Sequence, residues 1–160
     1  MKIEYIMPFV QASVNVIKQI VNTTPERGQL SARPQVFTSQ QLSIVCGITG
    51  DVEGQVIYGM SLVTAYKIAG SMIGGKVDKF DQLTASAIAE LGNIVSGNAM
   101  TLLSNQGFSC DITPPTIVKG SNVRISTSNV PALVIPMNVP EAGSFEINVS
   151  LKESTRRAAA

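Results

Sequence analysis

A polar ridge is predicted along one face of the longest helix in this chain. Ser86, Glu90, Asn93, Gly97 and Ser104 follow one another at steps of four, three, four and seven positions. Because a helix turns by about 100° per residue, these steps keep all five residues on one side. A hydroxyl, a carboxylate, a carboxamide and bare backbone would then face solvent together. Such a ridge could enter another protein's site, or it could be an ordinary solvated face.

The opposite face of this helix, predicted from about Asp81 to Asn105, is apolar. Its members, within about 60° of one direction, are Asp81, Ala85, Ile88, Leu91, Gly92, Val95, Ala99, Leu102 and Leu103. Glycine costs about 1 kcal/mol relative to alanine inside a helix. We therefore expect Gly92 to serve close packing against a sheet or another helix, and Asn98, on the flank, to be solvated.

The chain contains no histidine, which excludes several classes of catalysis. Ser-His-Asp and Cys-His relays, imidazole bases and His-containing zinc sites are all impossible. Cys46 and Cys110 lie far apart without metal-binding spacing, so we expect reduced thiols in a cytoplasmic protein. An enzyme built from this sequence must use carboxylates, amides, hydroxyls or lysine.

Composition limits the possible partners. The 160 residues carry a net charge of +1 and no Lys/Arg cluster, which argues against nucleic acid. No stretch reaches the ~20 apolar residues of a membrane span, and the N-terminal helix is a poor signal peptide. The charged fraction of 14% is low, and a low surface charge is typical of chains that bury surface between subunits. We expect a homodimer without membrane insertion.

Two other motifs are weaker candidates. Residues 70–77, GSMIGGKV, approach a phosphate-binding P-loop, but Val77 stands where a Mg²⁺-binding hydroxyl is required and a helix precedes the motif instead of a strand. Asp51 and Glu53 could suggest a metal, but they fit a turn between strands better. Neither motif favours a nucleotide or metal site.

Hydrophobic periodicity predicts helices over residues 4–21 and 62–75 in addition to the helix of the polar ridge, with Gly74 and Gly75 ending the second. The predicted strands span residues 34–39, 42–49, 55–62, 111–118, 122–127, 132–139 and 144–151. Short connections between them favour antiparallel pairing. We predict an α+β fold with two layers, in which long helices pack on a mostly antiparallel sheet of about six strands.

An internal echo indicates a duplicated helix-plus-strands unit. Residues 54–62, GQVIYGMSL, resemble residues 143–151, GSFEINVSL. We predict one domain over residues 1–154 and a disordered tail over residues 155–160, which read RRAAA at their end.

The spacing of Ser86, Glu90 and Asn93, followed by Pro114 and Pro115, matches a known pattern. That pattern is Ser or Asp, three residues, Glu, two residues, Asn, and a proline somewhat over twenty residues later. The segments ELGNIVSGNA, DITPPT and GITGDVEGQVIYGMS are similar as well. The chain thus resembles the CheC/CheX/FliY family of chemotaxis phosphatases, most closely its CheX members, over most of its length.

The resemblance implies a phosphatase that hydrolyses the aspartyl phosphate of a CheY-like receiver domain. Asn93 would orient the attacking water, and Glu90 would dock on a lysine of the receiver. Further contacts with the partner would come from Ser86, Gly97, Pro114 and Pro115. The enzyme would need no cofactor of its own, because the receiver would carry the Mg²⁺.

CheC-like members of the family carry the motif twice, but this chain carries it once. In the first helix, Glu4 is followed three positions later by Met7, and Asn15 is preceded three positions earlier by Ala12. The resemblance therefore implies one active ridge per subunit of a homodimer. Two alternatives stay open: a non-catalytic module that docks on receivers or on a flagellar switch, and a dimeric scaffold that does neither.

Overall fold

A computed structural model describes residues 1–127 and 130–158, which pack around one hydrophobic core. The helices are α1 (Ile3–Val21), α2 (Leu62–Ile73), α3 (Gln82–Asn105) and α4 (Thr155–Ala158). The strands are β1 (Glu26–Arg27), β2 (Ser31–Arg33), β3 (Val36–Thr38), β4 (Leu42–Gly50), β5 (Val52–Met60), β6 (Cys110–Ile112), β7 (Thr116–Lys119), β8 (Arg124–Ser126), β9 (Ala132–Val139) and β10 (Gly143–Glu153). The predicted α+β class is confirmed.

The main sheet is antiparallel and has eight strands. Its order is β1-β9-β10-β5-β4-β6, while β2 also pairs with β9 and β7 also pairs with β4. The count differs from the predicted six because β1 and β2 lie within residues 26–33, where no strand is predicted, and because two of the seven predicted strands, 34–39 and 122–127, are not part of this sheet. In addition, the predicted strand 111–118 is divided at Pro114 and Pro115, since proline cannot donate a ladder hydrogen bond. β3 and β8 form a separate two-stranded sheet.

The two halves of the chain are related by a pseudo-two-fold arrangement, as the internal echo predicted. β5 and β10, which carry most of the two similar segments, pair at the centre of the sheet with Val56 opposite Val149. The hairpins β4–β5 and β9–β10 lie on either side. Each half sends its edge strands to the other half: β1 and β2 join β9, and β6 and β7 join β4.

The first three helices cover the same face of the sheet. Ile17 of α1, Ile68 of α2 and Leu91 of α3 surround one small void together with Tyr58 and Met60 of β5. All five side chains are buried. The helical layer is therefore held by apolar contacts that run across both halves of the chain.

A charged cluster occupies the other face of the sheet. Arg33 donates to Glu146 Oε1 at 2.5 Å and to Asn148 Oδ1 at 3.0 Å, and its guanidinium stacks over the ring of Phe37 at 4.8 Å. Phe37 belongs to β3, so Arg33 ties the two-stranded sheet to β10 of the main sheet.

The glycine cap predicted at the end of α2 is confirmed, but the predicted turn between β4 and β5 is too long. Gly74 ends α2 in the left-handed conformation, with a φ of 87°, as predicted for a glycine cap. The turn between β4 and β5 is shorter than predicted, because only Asp51 separates the two strands and Gly54 lies inside β5. Among the described residues, no helix is long and apolar enough to cross a membrane.

The predicted disordered tail is wrong for residues 155–158, which form α4. Arg157 anchors this turn: its Nη1 donates to Asp51 Oδ2 and to the Gly107 carbonyl, both at 3.0 Å. Its guanidinium also stacks over the ring of Phe108 at 4.3 Å. Residues 159 and 160 lie outside the described part of the chain.

Candidate functional site

The boundaries of α3 are fixed by defined caps. The Asp81 carboxylate accepts hydrogen bonds from the Thr84 backbone N–H at 2.9 Å and from the Thr84 hydroxyl at 2.8 Å. These two bonds, the backbone one first, lower the pKa of the Asp81 carboxyl. At the other end Gly107 has a φ of +90°, and the Phe108 N–H returns to the Leu103 carbonyl at 3.0 Å. The predicted limits of the helix are confirmed.

The inner face of α3 agrees with the predicted apolar face at most positions. Buried as expected are Ile88, Leu91, Gly92, Val95, Ala99 and Leu103. Asp81 is instead an exposed cap, and Ala85 and Leu102 are only half-buried. Thr84, Ser96 and Met100 are buried without having been expected there.

Gly92 makes the close approach that its position predicted. A methyl group placed on it would lie 2.5 Å from Ile44 Cγ2 and 3.7 Å from Cys46 Sγ, both on β4. One turn later, the Ser96 and Tyr58 hydroxyls are 2.8 Å apart in the core. Burial raises the pKa of the Tyr58 phenol and of the Cys46 thiol, so both groups stay neutral at physiological pH.

The polar ridge lies on the outer face, as predicted. Ser86, Glu90, Asn93 and Ser104 are exposed and Gly97 is partly exposed. A methyl group placed on Gly97 would have no atom within 4 Å. The fold of this chain therefore does not require glycine at that position.

The two central side chains of the ridge, Glu90 and Asn93, form no side-chain hydrogen bond or ion pair with the other described residues. The side-chain hydrogen bonds of α3 within residues 1–127 and 130–158 are made by Thr84, Ser96 and Thr101. Glu90 takes part in no ion pair among these residues. The Glu90 carboxylate and the Asn93 carboxamide therefore project into solvent, one turn apart on a rigid helix, and both are available to a partner.

Pro114 and Pro115 lie outside α3 and therefore are not on the ridge. They connect β6 to β7 along the outer edge of β4, where the Gly47 N–H donates to Thr113 Oγ1 at 2.9 Å and Thr116 pairs with Val45. Gly92 packs on the neighbouring positions of β4. The exposed Pro114 thus lies along the outer edge of the strand on which Gly92 of α3 packs.

Sequence reasoning missed two residues beside the ridge. Leu83 is 60% exposed and stands three positions before Ser86, so it extends the ridge by one turn; this spacing was a usable signal. Lys119 holds its Nζ over the ring of Phe80 at 5.1 Å, just before α3 begins. No local pattern indicates that pair, because it joins a strand end to a distant loop.

The weaker candidate motifs have structural roles. Residues 70–73 form the C-terminal end of α2, where backbone carbonyls and not N–H groups are exposed, so the P-loop reading has no phosphate cradle. An open groove of about 720 Å³ runs beside this segment. Asp51 accepts from the Ser109 N–H at 2.8 Å and pairs with Arg157, and Glu53 pairs with Lys152 at 3.5 Å. The described residues contain no group of three or more potential metal ligands.

The structure thus defines an α+β protein with one exposed polar ridge, carried by α3. Residues 42–138 match the model described as Chemotaxis phosphatase CheX. This match covers more than half of the chain, and the chain belongs to the CheX family.

Individual relatives agree over almost the whole chain. CheY-P phosphatase CheX from Thermotoga maritima is 36% identical over 137 residues, which cover 85% of this chain and 88% of the relative. The chemotaxis protein CheX of Desulfovibrio desulfuricans has a TM-score of 0.83 at 28% identity, covering 93% of this chain and 99% of its own. CheX in the CheX–CheY–BeF₃–Mg²⁺ complex from Borrelia burgdorferi has a TM-score of 0.78 at 33% identity, covering 95% and 100%.

Proposed function

We propose that this chain is a phosphatase that hydrolyses the aspartyl phosphate of a CheY-like response-regulator receiver domain. The observation that carries the proposal is the pair Glu90 and Asn93, exposed together on α3 without partners in the described chain. Family membership supports it, as do a 36% identical relative named CheY-P phosphatase and a similar CheX held in complex with CheY.

Asn93 is the proposed catalytic residue. Its carboxamide can both donate to and accept from one water molecule without changing charge. Inserted beside the acyl phosphate of the receiver, it would direct that water at phosphorus. The new P–O bond forms as the bond to the aspartate oxygen breaks, so the products are inorganic phosphate and a free carboxylate. The gain comes from positioning, which by itself can lower a barrier by several kcal/mol.

Glu90 is the proposed docking residue. Its free carboxylate would pair with the lysine of the receiver site and fix the distance of Asn93 from the phosphate. Further contacts are assigned to Ser86, Gly97, Pro114 and Pro115, and the exposure of Leu83 adds an apolar contact at the start of the helix. We propose no cofactor for the chain itself. The Mg²⁺ would be carried by the receiver, and its presence in the Borrelia complex supports this assignment.

We further propose a homodimer in the cytoplasm. The low charged fraction of 14% and exposed apolar side chains on α1, such as Ile3 and Met7, support a contact between copies. Two free thiols, Cys46 and Cys110, are suited to a reducing compartment. Light scattering coupled to size exclusion tests the dimer, whose mass would be twice the 16.9 kDa of one chain.

The function is tested by phosphate release from a receiver labelled with acetyl phosphate in the presence of Mg²⁺. The wild type should accelerate release, and Asn93→Ala should lower the rate by roughly 10²–10³-fold, as is typical when one positioned amide is removed. Asn98→Ala is the matched control, since Asn98 is an exposed asparagine of the same helix away from the ridge.

Both variants should melt close to the wild type, because alanine is favourable at exposed helical positions. Full activity of Asn93→Ala would refute the proposed mechanism. A wild type that binds phosphorylated receivers without accelerating phosphate release would favour the non-catalytic docking module instead.

A further inference from the structure

Gly92, the residue beside Asn93, packs so closely on the sheet that it leaves no room for a side chain. A methyl group on Gly92 would lie 2.5 Å from Ile44 Cγ2, whereas ordinary contacts of this kind begin near 3.4 Å. Ile44 is fully buried in β4, and its β-branched side chain has little freedom to rotate away. The absence of a side chain at Gly92 therefore sets the height of α3 above β4 at the centre of the polar ridge.

A second contact fixes the rotation of the helix about its axis. The hydroxyls of Ser96 and Tyr58 are 2.8 Å apart, and both residues are buried. Turning α3 by even part of a residue step would break this bond and leave two buried hydroxyls without partners. We call Ile44, Tyr58, Gly92 and Ser96 the α3 seat.

We propose that the α3 seat positions the Asn93 carboxamide for catalysis, with Gly92 as its central positioning residue. This inference rests on the proposed phosphatase function. Asn93 has a short side chain and follows the helix backbone closely, so lifting α3 by about 1 Å displaces its carboxamide by a similar distance. Misplacement on this scale can cost as much as 10²-fold in rate. The longer Glu90 side chain can readjust, so docking is affected less than turnover.

Gly92→Ala and the double variant Gly92→Ala/Ile44→Ala test the seat on a phosphorylated receiver. The single variant should lower kcat about tenfold and change KM less than about twofold. In the double variant the new methyl group occupies space left by Ile44 Cγ2, so kcat should return to within about threefold of the wild type. Gly75→Ala is the control and should keep full activity, because a methyl group there has no atom within 4 Å.

A merely structural role gives a different order of activities. Removing the Ile44 side chain leaves a cavity, so Ile44→Ala and the double variant should both melt below the wild type. If activity simply followed stability, the double variant would be no more active than Gly92→Ala. If the seat positions Asn93, the double variant is the more active of the two. Circular dichroism gives the folded fraction by which each kcat is corrected.

Ser96→Ala carries the test if Gly92→Ala does not fold. It removes the Tyr58 hydrogen bond with little change in volume, and kcat should fall about threefold or more at constant KM. Unchanged kcat in Ser96→Ala, or in a folded Gly92→Ala, overturns the seat. If the wild type is inactive on every phosphorylated receiver, the proposed function itself is wrong. This outcome is distinguished from failure of the seat because it is seen in the wild type alone.

Discussion

Glu90 has no cationic neighbour on its own helix. A glutamate on an exposed helix gains stability from a lysine or arginine three or four positions away. The residues four positions before and after Glu90 are Ser86 and Ile94, and those three positions away are Ala87 and Asn93. The carboxylate therefore contributes little to the stability of α3 and is available to pair with a partner.

Replacing this charge should weaken docking and leave chemistry almost intact. Glu90→Gln should raise KM for the phosphorylated receiver by about tenfold, equal to ~1.4 kcal/mol of docking energy, with kcat within about twofold of the wild type. Steady-state kinetics at two salt concentrations measures this, since screening should raise KM more in the wild type than in the variant. Glu4→Gln, on the exposed surface of α1, is the control; a KM unaffected by Glu90→Gln would contradict the docking role.

Gly97 should show opposite effects on stability and on binding. Gly97→Ala should raise the free energy of unfolding by up to about 1 kcal/mol, because glycine is unfavourable in a helix and the new methyl group meets nothing. The same methyl group should raise KM if a partner packs on the bare backbone. Urea unfolding and kinetics measure the two effects, and Asn98→Ala provides a comparison for helix propensity alone. An unchanged KM would remove Gly97 from the interface.

At single positions, angular spacing predicted exposure well and predicted burial less well. The exposed Ser86, Glu90 and Asn93 follow from turns of 100°. Asp81 and Ser96 do not, because their places are decided by hydrogen bonds: Asp81 caps the helix and Ser96 meets Tyr58 in the core. A helical projection contains no information on such partners.

At the scale of elements, the start of α3 depends on the ionised Asp81 cap. The folded-state pKa of Asp81 is lowered, so its stabilising contribution is complete above about pH 4 and is lost as the pH falls through the folded-state value. Asp81→Ala should therefore lower the urea midpoint at pH 7, and the difference from the wild type should shrink near pH 3.

Asp81→Asn provides the matched control for this cap. Its carbonyl can still accept from the Thr84 N–H, so it should retain much of the stability at pH 7 and show a weaker pH dependence. A difference between Asp81→Ala and the wild type that stays constant from pH 7 to pH 3 would show that the carboxylate is not the stabilising group.

Helices and long strands were predictable because their signals are local. The limits of α3 follow from a cap and from Gly107, and β9 spans the predicted residues 132–139. β1 and β2, of two and three residues, are too short for periodicity, and both pair with β9 about a hundred positions away. Their existence is a consequence of the tertiary fold and has no counterpart in the sequence of residues 26–33.

At the scale of the whole molecule, Arg157 connects the C-terminal turn to three other segments. It reaches Asp51 between β4 and β5, the Gly107 carbonyl after α3, and Glu153 at the end of β10 at 3.8 Å. Arg157→Ala should lower the free energy of unfolding by about 1–2 kcal/mol, because a partly buried charged network and the stacking on Phe108 are lost together.

The same variant should leave phosphatase turnover unchanged. Asn93 lies roughly 18 Å along the helix from its end at Asn105, which is far from the Arg157 network. Arg157→Lys should give an intermediate stability, since an ammonium keeps the charge without the planar fork. Chemical denaturation followed by circular dichroism measures all three proteins; a stability of Arg157→Ala equal to the wild type would mean that α4 is not anchored.

Because each half of the chain supplies edge strands to the other half, neither half can fold without the other. If one half of the chain were expressed alone, its edge strands would lack the hairpin with which they pair, and its own hairpin would lack its edge strands. Such a half should therefore be stable only in association with the other half. α1 carries no Glu-x-x-Asn pair, yet its half is indispensable because it supplies β1, β2 and the hairpin β4–β5. The outward surface of α1 is thus available for another purpose, such as the proposed contact between copies, but the half that carries it cannot be lost.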